Sequence, residues 1–229
     1  MKTCSRPKSS KVIPCTIILF VIFVHFNPGS AQVFDDFSDG NFSSNPAWQG
    51  DTQQFQITNS SAIPAEMKPA LQLNAEGSDT SYLVVPNNLM MNTEWVFWAK
   101  LSFNTSANNF ARVYIVSDQE NLENQLNGYF VQVGGQDDSI ALYRQSGFTV
   151  EKLISGSVAF TGNSSNVMRI KVTFGMDQNW TLFSDVEGGF NFSFEGSAND
   201  NTFTSTAFFG IWCKFTSSNS TKFYFDEFS

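Results

Sequence analysis

What most limits the folds open to this chain is a rhythm. Short runs rich in Phe, Val, Ile, Tyr and Thr recur along the 229 residues, each closed by Gly, Asn, Asp or Ser, and neither an amphipathic helical stretch nor a long Pro/Gly/Ser linker interrupts them. Runs of this length and composition are those of an all-β sandwich or barrel. The pattern predicts strands over 54–58, 70–73, 82–85, 94–103, 110–117, 129–134, 139–145, 150–154, 167–174, 180–184, 190–194, 207–215 and 222–228. Asn127-Gly128 and Gly134-Gly135 read as turn dipeptides, because Asn and Gly tolerate positive φ. Asp137-Asp138 completes the second of these turns, and 185–189 and 217–220 are further turns.

Alternation then sorts side chains onto two faces of each strand. Met168, Ile170, Val172 and Phe174 share one face, as do Trp95, Phe97, Ala99, Leu101 and Phe103, and both sets are predicted core. Phe209, Ile211, Cys213 and Phe215 point one way, with Trp212 and Lys214 opposite; Val113 and Ile115 go inward, so Arg112 and Tyr114 go outward. Cys213 is thereby read as a small buried hydrophobe, not a reactive thiol.

The formal charge of −8 mixes two unlike segments. Residues 1–31 hold four of the 13 basic side chains, no acid, two of the three cysteines and the only histidine, leaving nine basic against 21 acidic groups, net −12, in residues 32–229. Without His that region has no Ser-His-Asp or Cys-His machinery and no His-ligated zinc. One cysteine allows no internal disulfide, and the acidic balance excludes a sequence-independent grip on nucleic acid. Residues 1–31 read as an export signal: a basic start, the apolar run 16–24, then Gly29-Ser30-Ala31 before Gln32. The apolar stretch is short of the ~20 residues a spanning helix needs, so no transmembrane span is expected after cleavage. Asn-x-Ser/Thr triplets at Asn41, Asn59, Asn104, Asn163, Asn179, Asn191 and Asn219 are possible glycan acceptors, though the abundance of these residues accounts for most of them by chance.

The segments Asn127-Gly-Tyr-Phe-Val-Gln-Val-Gly-Gly135, Ser139-Ile-Ala-Leu-Tyr-Arg-Gln-Ser-Gly147, Arg169-Ile-Lys-Val-Thr173, Asn179-Trp-Thr-Leu182 and Lys222-Phe-Tyr-Phe-Asp-Glu-Phe228, opened by Phe34-Asp-Asp-Phe-Ser-Asp-Gly40, resemble an N-terminal domain of large bacterial envelope proteins. The resemblance spans 32–229. It implies an antiparallel jelly-roll β-sandwich of the concanavalin A-like (laminin-G-like) kind, displayed at the extracellular face. In that family lamin-tail-type modules and a C-terminal sorting tail often follow, so neighbouring domains of a longer protein are expected partners.

Three chemistries are open to such a domain. Jelly-roll glycosidases set carboxylates along one strand; the nearest arrangement here, Asp118-Gln-Glu120-Asn-Leu-Glu123, falls between strands among polar neighbours and reads as a solvated loop, so no enzyme is expected. Outward aromatics beside cations suit stacking on sugar rings: Trp98, Arg112, Tyr114, Tyr143 and Trp212, with Lys100, Arg169, Lys171 and Lys214, are the candidate saccharide-binding residues. The competing reading packs this face under a loop or a neighbouring domain, as in a structural spacer. Last, the resemblance puts the first and last strands side by side, so Asp36, Asp39 and Asp226 converge as candidate ligands for a structural Ca2+.

Overall fold

The computed structural model describes Met1 and residues 32–156 and 161–229; the rest of the expected export signal lies outside them. Fourteen strands form: β1 (Gln49–Gly50), β2 (Phe55–Thr58), β3 (Ala70–Leu73), β4 (Asp79–Pro86), β5 (Thr93–Leu101), β6 (Phe110–Ser117), β7 (Leu126–Gly134), β8 (Ile140–Gly147), β9 (Thr149–Ser155), β10 (Asn166–Phe174), β11 (Asn179–Asp185), β12 (Ser193–Asn199), β13 (Phe208–Phe215) and β14 (Phe223–Asp226). They make two seven-stranded sheets, both antiparallel. Sheet one runs β1-β4-β13-β6-β7-β8-β9 and sheet two β12-β11-β10-β5-β14-β3-β2. The architecture is the expected antiparallel jelly-roll sandwich.

The period of two decides the core. The predicted inward sets of β5, β6, β10 and β13 all meet between the sheets, with Cys213 fully buried among them. At one end of this core Phe228 contacts Trp48, Phe209, Phe37 and Phe97 with ring centroids 5.3, 5.4, 6.0 and 6.2 Å away. The first and last segments pair there through Asp35 and Phe228, each backbone N–H donating to the other's carbonyl at 2.9 Å. Two residues along β5 from Phe97, Trp95 stacks on Trp180, which also stacks on Phe174 and packs against Tyr129. Between the sheets Arg144 forms ion pairs with Asp200 and Glu151, and Asp200 also accepts the Tyr129 hydroxyl at 2.5 Å.

Two local readings are corrected. Phe190–Phe194 is not the strand; β12 starts at Ser193, because the buried Asp185 organises a loop before it. Its carboxylate accepts the Glu187 and Asn191 backbone N–H groups at 2.9 and 2.7 Å, and Gly188 takes a φ of 80°. Nor is Asn127-Gly128 a turn: both residues lie inside β7. Gly128 faces the bulge in β6, where a Cβ would stand 2.0 Å from the Val116 carbonyl oxygen, so its hydrogen is needed for backbone approach, not for positive φ. Gly134 and Gly135 do turn the β7–β8 connection, at φ of 82° and 106°. Gly128→Ala should therefore destabilise the domain by about 1–3 kcal/mol, the usual cost of overpacking, measured as a lower denaturation midpoint.

Candidate functional site

Each sheet has an outer face, and the two are finished differently. Sheet two is covered by the chain itself. Trp98 on β5 is 1% exposed, packed under Ile63 and Met67 from the segment between β2 and β3 and against Tyr224 of β14. Arg169, opposite Trp98 on β10, is 2% exposed; it forms an ion pair with Glu227, donates Nε–H to the Gly188 carbonyl at 3.2 Å, and lies 4.0 Å from the Phe190 ring centroid. Lys171 sits over the rings of Phe183 and Phe192 on the same face. Trp98, Lys100, Arg169 and Lys171 therefore do not join the other candidate residues. They belong to the opposite sheet, and Trp98 is a packing residue.

Sheet one carries the remaining five, of which Lys214 on β13 donates to the Ala107 carbonyl at 3.1 Å and lies 5.9 Å from the Phe110 ring centroid. Arg112 and Tyr114 on β6, Tyr143 on β8 and Trp212 on β13 project from one face, because register aligns Arg112 with Trp212 and Tyr143 with Phe130 of β7. Phe130 stacks on Tyr143 at 5.2 Å with a 10° interplanar angle and packs against Tyr114 at 4.9 Å, while Trp212 packs against Phe110 at 5.5 Å. Alternation could have found Phe130, as the outward neighbour of the inward Tyr129 and Val131. Gln132 and Gln145 gave no signal in the sequence, since their value lies in what they hold.

They hold a polar line across the aromatic floor. Gln132 Oε1 accepts Arg112 Nε–H at 3.2 Å, Arg112 Nη1 reaches the Tyr114 hydroxyl at 3.5 Å, and that hydroxyl donates to Gln145 Oε1 at 2.8 Å. Burial first of all pushes the Tyr114 hydroxyl above its usual pKa, so it stays a neutral donor. Above this line is a depression of about 500 Å³, walled by Leu122 and Glu123 of the β6–β7 loop, by Phe148 and Val150, and by Trp212. Glu123 accepts the Thr80 hydroxyl, and Asp118 accepts from Asn127, both on exposed positions; Glu120 is exposed on the same loop. The acidic run is a solvated loop, as the sequence suggested, although Glu123 reaches the rim.

The candidate calcium ligands Asp36, Asp39 and Asp226 each make a local bond. The terminal segments do pair, but Asp36 accepts the Ser38 N–H, Asp39 accepts from Asn41, and Asp226 accepts the Glu227 N–H. Among the described residues no three acidic, His or Cys side chains gather for a metal ion. Repulsion between neighbouring acids is relieved by protonation. Burial, reinforced by the charges of Glu227 and Asp36, raises Asp226 from the ordinary 3.8 to about 8, so it is largely protonated at neutral pH.

No protein-family model matches the chain, and no curated protein matches it significantly. Solved structures do resemble it. The Ca2+/mannose-bound lumenal domain of VIP36 superposes with a TM-score of 0.54 at 10% identity, covering 79% of this chain and 80% of that one. The carbohydrate-binding module CBM66 from Bacillus subtilis gives 0.50 at 10% identity, covering 79% and 92%. The carbohydrate recognition domain of Emp47p gives 0.50 at 12% identity, covering 75% and 84%. These likenesses establish a lectin-like jelly-roll fold.

Two outcomes follow. Trp98→Ala should cost about 3–5 kcal/mol of stability, the range for emptying a buried Trp site, read from denaturant unfolding. Asp226 binds its proton more tightly folded than unfolded, so it stabilises fully below about pH 4 and loses that contribution as pH rises towards 8. The buried Asp35, also raised mainly by burial, acts in the same direction. Thermal melting from about pH 5 to about pH 8 should accordingly fall less in Asp226→Asn than in the wild type, the slope being set by proton linkage.

Proposed function

We propose that the domain is a non-catalytic saccharide-binding module, exported and displayed at the cell envelope within a longer protein, and that the outer face of sheet one is its site. The observation that carries this reading is the asymmetry between the two outer faces. On sheet two Trp98 and Arg169 are closed over by the chain's own loops beside a depression of about 240 Å³, whereas on sheet one Tyr114 and Phe130 are buried with Leu122 and Leu126 but Arg112 and Trp212 stay half-buried in the lining of a depression of about 500 Å³. A sugar ring offers an apolar C–H face and a rim of hydroxyls, and this pairing of rings with fixed amides and hydroxyls complements both. VIP36 with mannose bound and CBM66 support the same ligand class by fold. The rim carboxylate Glu123 has no second carboxylate facing it among the residues lining the depression, which leaves a glycosidase without its acid-base pair.

A spacer role has an observation of its own: Phe34 and Phe190 are 63% and 70% exposed beside a second, smaller depression on sheet two, where a neighbouring domain would cover them. The two readings separate on a polysaccharide and glycan array probed with and without EDTA. Specific binding that Trp212→Ala weakens by roughly tenfold or more, the loss of about 1.4 kcal/mol, with little change in melting, supports the sheet-one site. A blank array with the wild type overturns it in favour of the spacer. Binding is expected to survive EDTA.

A further inference from the structure

Beyond residue 31 the chain has three arginines. Arg144 is held by Asp200 and Glu151, and Arg169 by Glu227. Arg112 forms no ion pair with any described residue. Scarcity of acid is not the reason, since acidic groups outnumber basic ones 21 to nine in this region.

The Arg112 guanidinium is fixed in place without being neutralised. Its carbon lies 4.5, 5.1 and 5.5 Å from the ring centroids of Phe130, Trp212 and Phe110. Nε is engaged by Gln132, whose own amide donates to the Gly134 carbonyl at 3.2 Å. Nη1 reaches Tyr114, and the line ends at Gln145, whose amide donates to the Gly147 carbonyl at 2.9 Å. Every group that positions the cation is neutral, and the two amides that end the line are themselves anchored on backbone carbonyls. Nη2 has no hydrogen-bond partner among the described residues, and the side chain is half-buried in the wall of the large depression. Keeping a cation partly out of water with no counter-charge costs stability. A ligand anion would recover that cost, and a guanidinium meets a carboxylate or sulfate with two parallel N–H donors.

We infer that this face selects a saccharide bearing an anionic group, a uronate-type carboxylate or a sulfate ester, received by Arg112 while a ring of the same ligand lies on Trp212. The inference rests on the saccharide-binding reading above and narrows it. Glu123 on the opposite rim, and the net −12 of the domain, work against a densely charged polymer. The preferred ligand therefore carries an isolated acidic substituent on an otherwise neutral chain.

The test is isothermal titration of the full chain with matched oligosaccharides: a neutral parent, its uronate-bearing form, the same uronate after carboxyl reduction, and a mono-sulfated form. Wild type, Arg112→Lys, Arg112→Gln and Trp212→Ala are compared, with melting of each. The inference expects at least one acidic form to bind roughly tenfold or more tightly than the parent. Carboxyl reduction should abolish a uronate's advantage, Arg112→Gln should bring the ratio of acidic-form to parent affinity to about one, and Arg112→Lys should retain part of that ratio. Preference for the uronate or for the sulfate identifies the group. Equal binding of neutral and acidic forms overturns the inference and leaves the saccharide site standing. Absence of binding to the whole series by the wild type, with the array also blank, overturns both. If Arg112→Gln does not fold, the neutral, acidic and reduced ligands on the wild type still decide the question.

Discussion

The sandwich closes on one aromatic side chain. Phe228 comes after β14, yet its ring packs against Phe37 and Trp48 from the segment before β1, Phe97 of β5 and Phe209 of β13, so it ties both sheets to that early segment. The buried Asp35 carboxylate secures the arrangement by accepting the Trp48 indole N–H at 2.8 Å and the Phe37 N–H at 2.9 Å. β14, immediately before Phe228, lies inside sheet two between β5 and β3, so the middle of that sheet cannot form until the end of the domain arrives. The same closure reaches the outer face of sheet one. β13 turns Phe209 inward onto Phe228 and, by alternation, Trp212 outward beside Arg112.

The two outer faces show how an acidic chain distributes few cations. On sheet two, Arg169 is spent internally, neutralised by Glu227 where a partly exposed loop meets the terminal segments. Asp226 nearby avoids charge altogether by keeping its proton. On sheet one, the aromatic rings take the place of carboxylates around Arg112. A ring face attracts a cation without cancelling its charge, which keeps the guanidinium ordered and still available.

Strands and their faces were legible because burial enforces a period of two, and a single-residue slip would have put Met168, Ile170 and Val172 in water. Which sheet a strand joins was not legible. Trp98 and Trp212 look alike in sequence, each outward on a long strand beside a Lys, and only long-range pairing sends β5 to sheet two and β13 to sheet one. The 190–194 segment has the composition of a strand, but the Asp185 carboxylate takes the Asn191 N–H from it and the Glu187 N–H just before it. Adjacency of the terminal segments followed from the fold resemblance. Of their acids, Asp36 and Asp226 come near enough for the charge of one to raise the pKa of the other, but no three gather among the described residues, and each carboxylate accepts a local N–H.

The edges of the two sheets are finished unequally. β1 has two residues and β2 four, so on that side little unpaired backbone is offered. On the other side the edge strands β9 and β12 lie against each other, close enough that a Cβ on Gly196 would stand 2.7 Å from Ile154. Long open edges are where one copy of a β protein adds onto the next. A second copy adding a strand on the β9–β12 side would therefore first have to part these two seven-residue strands.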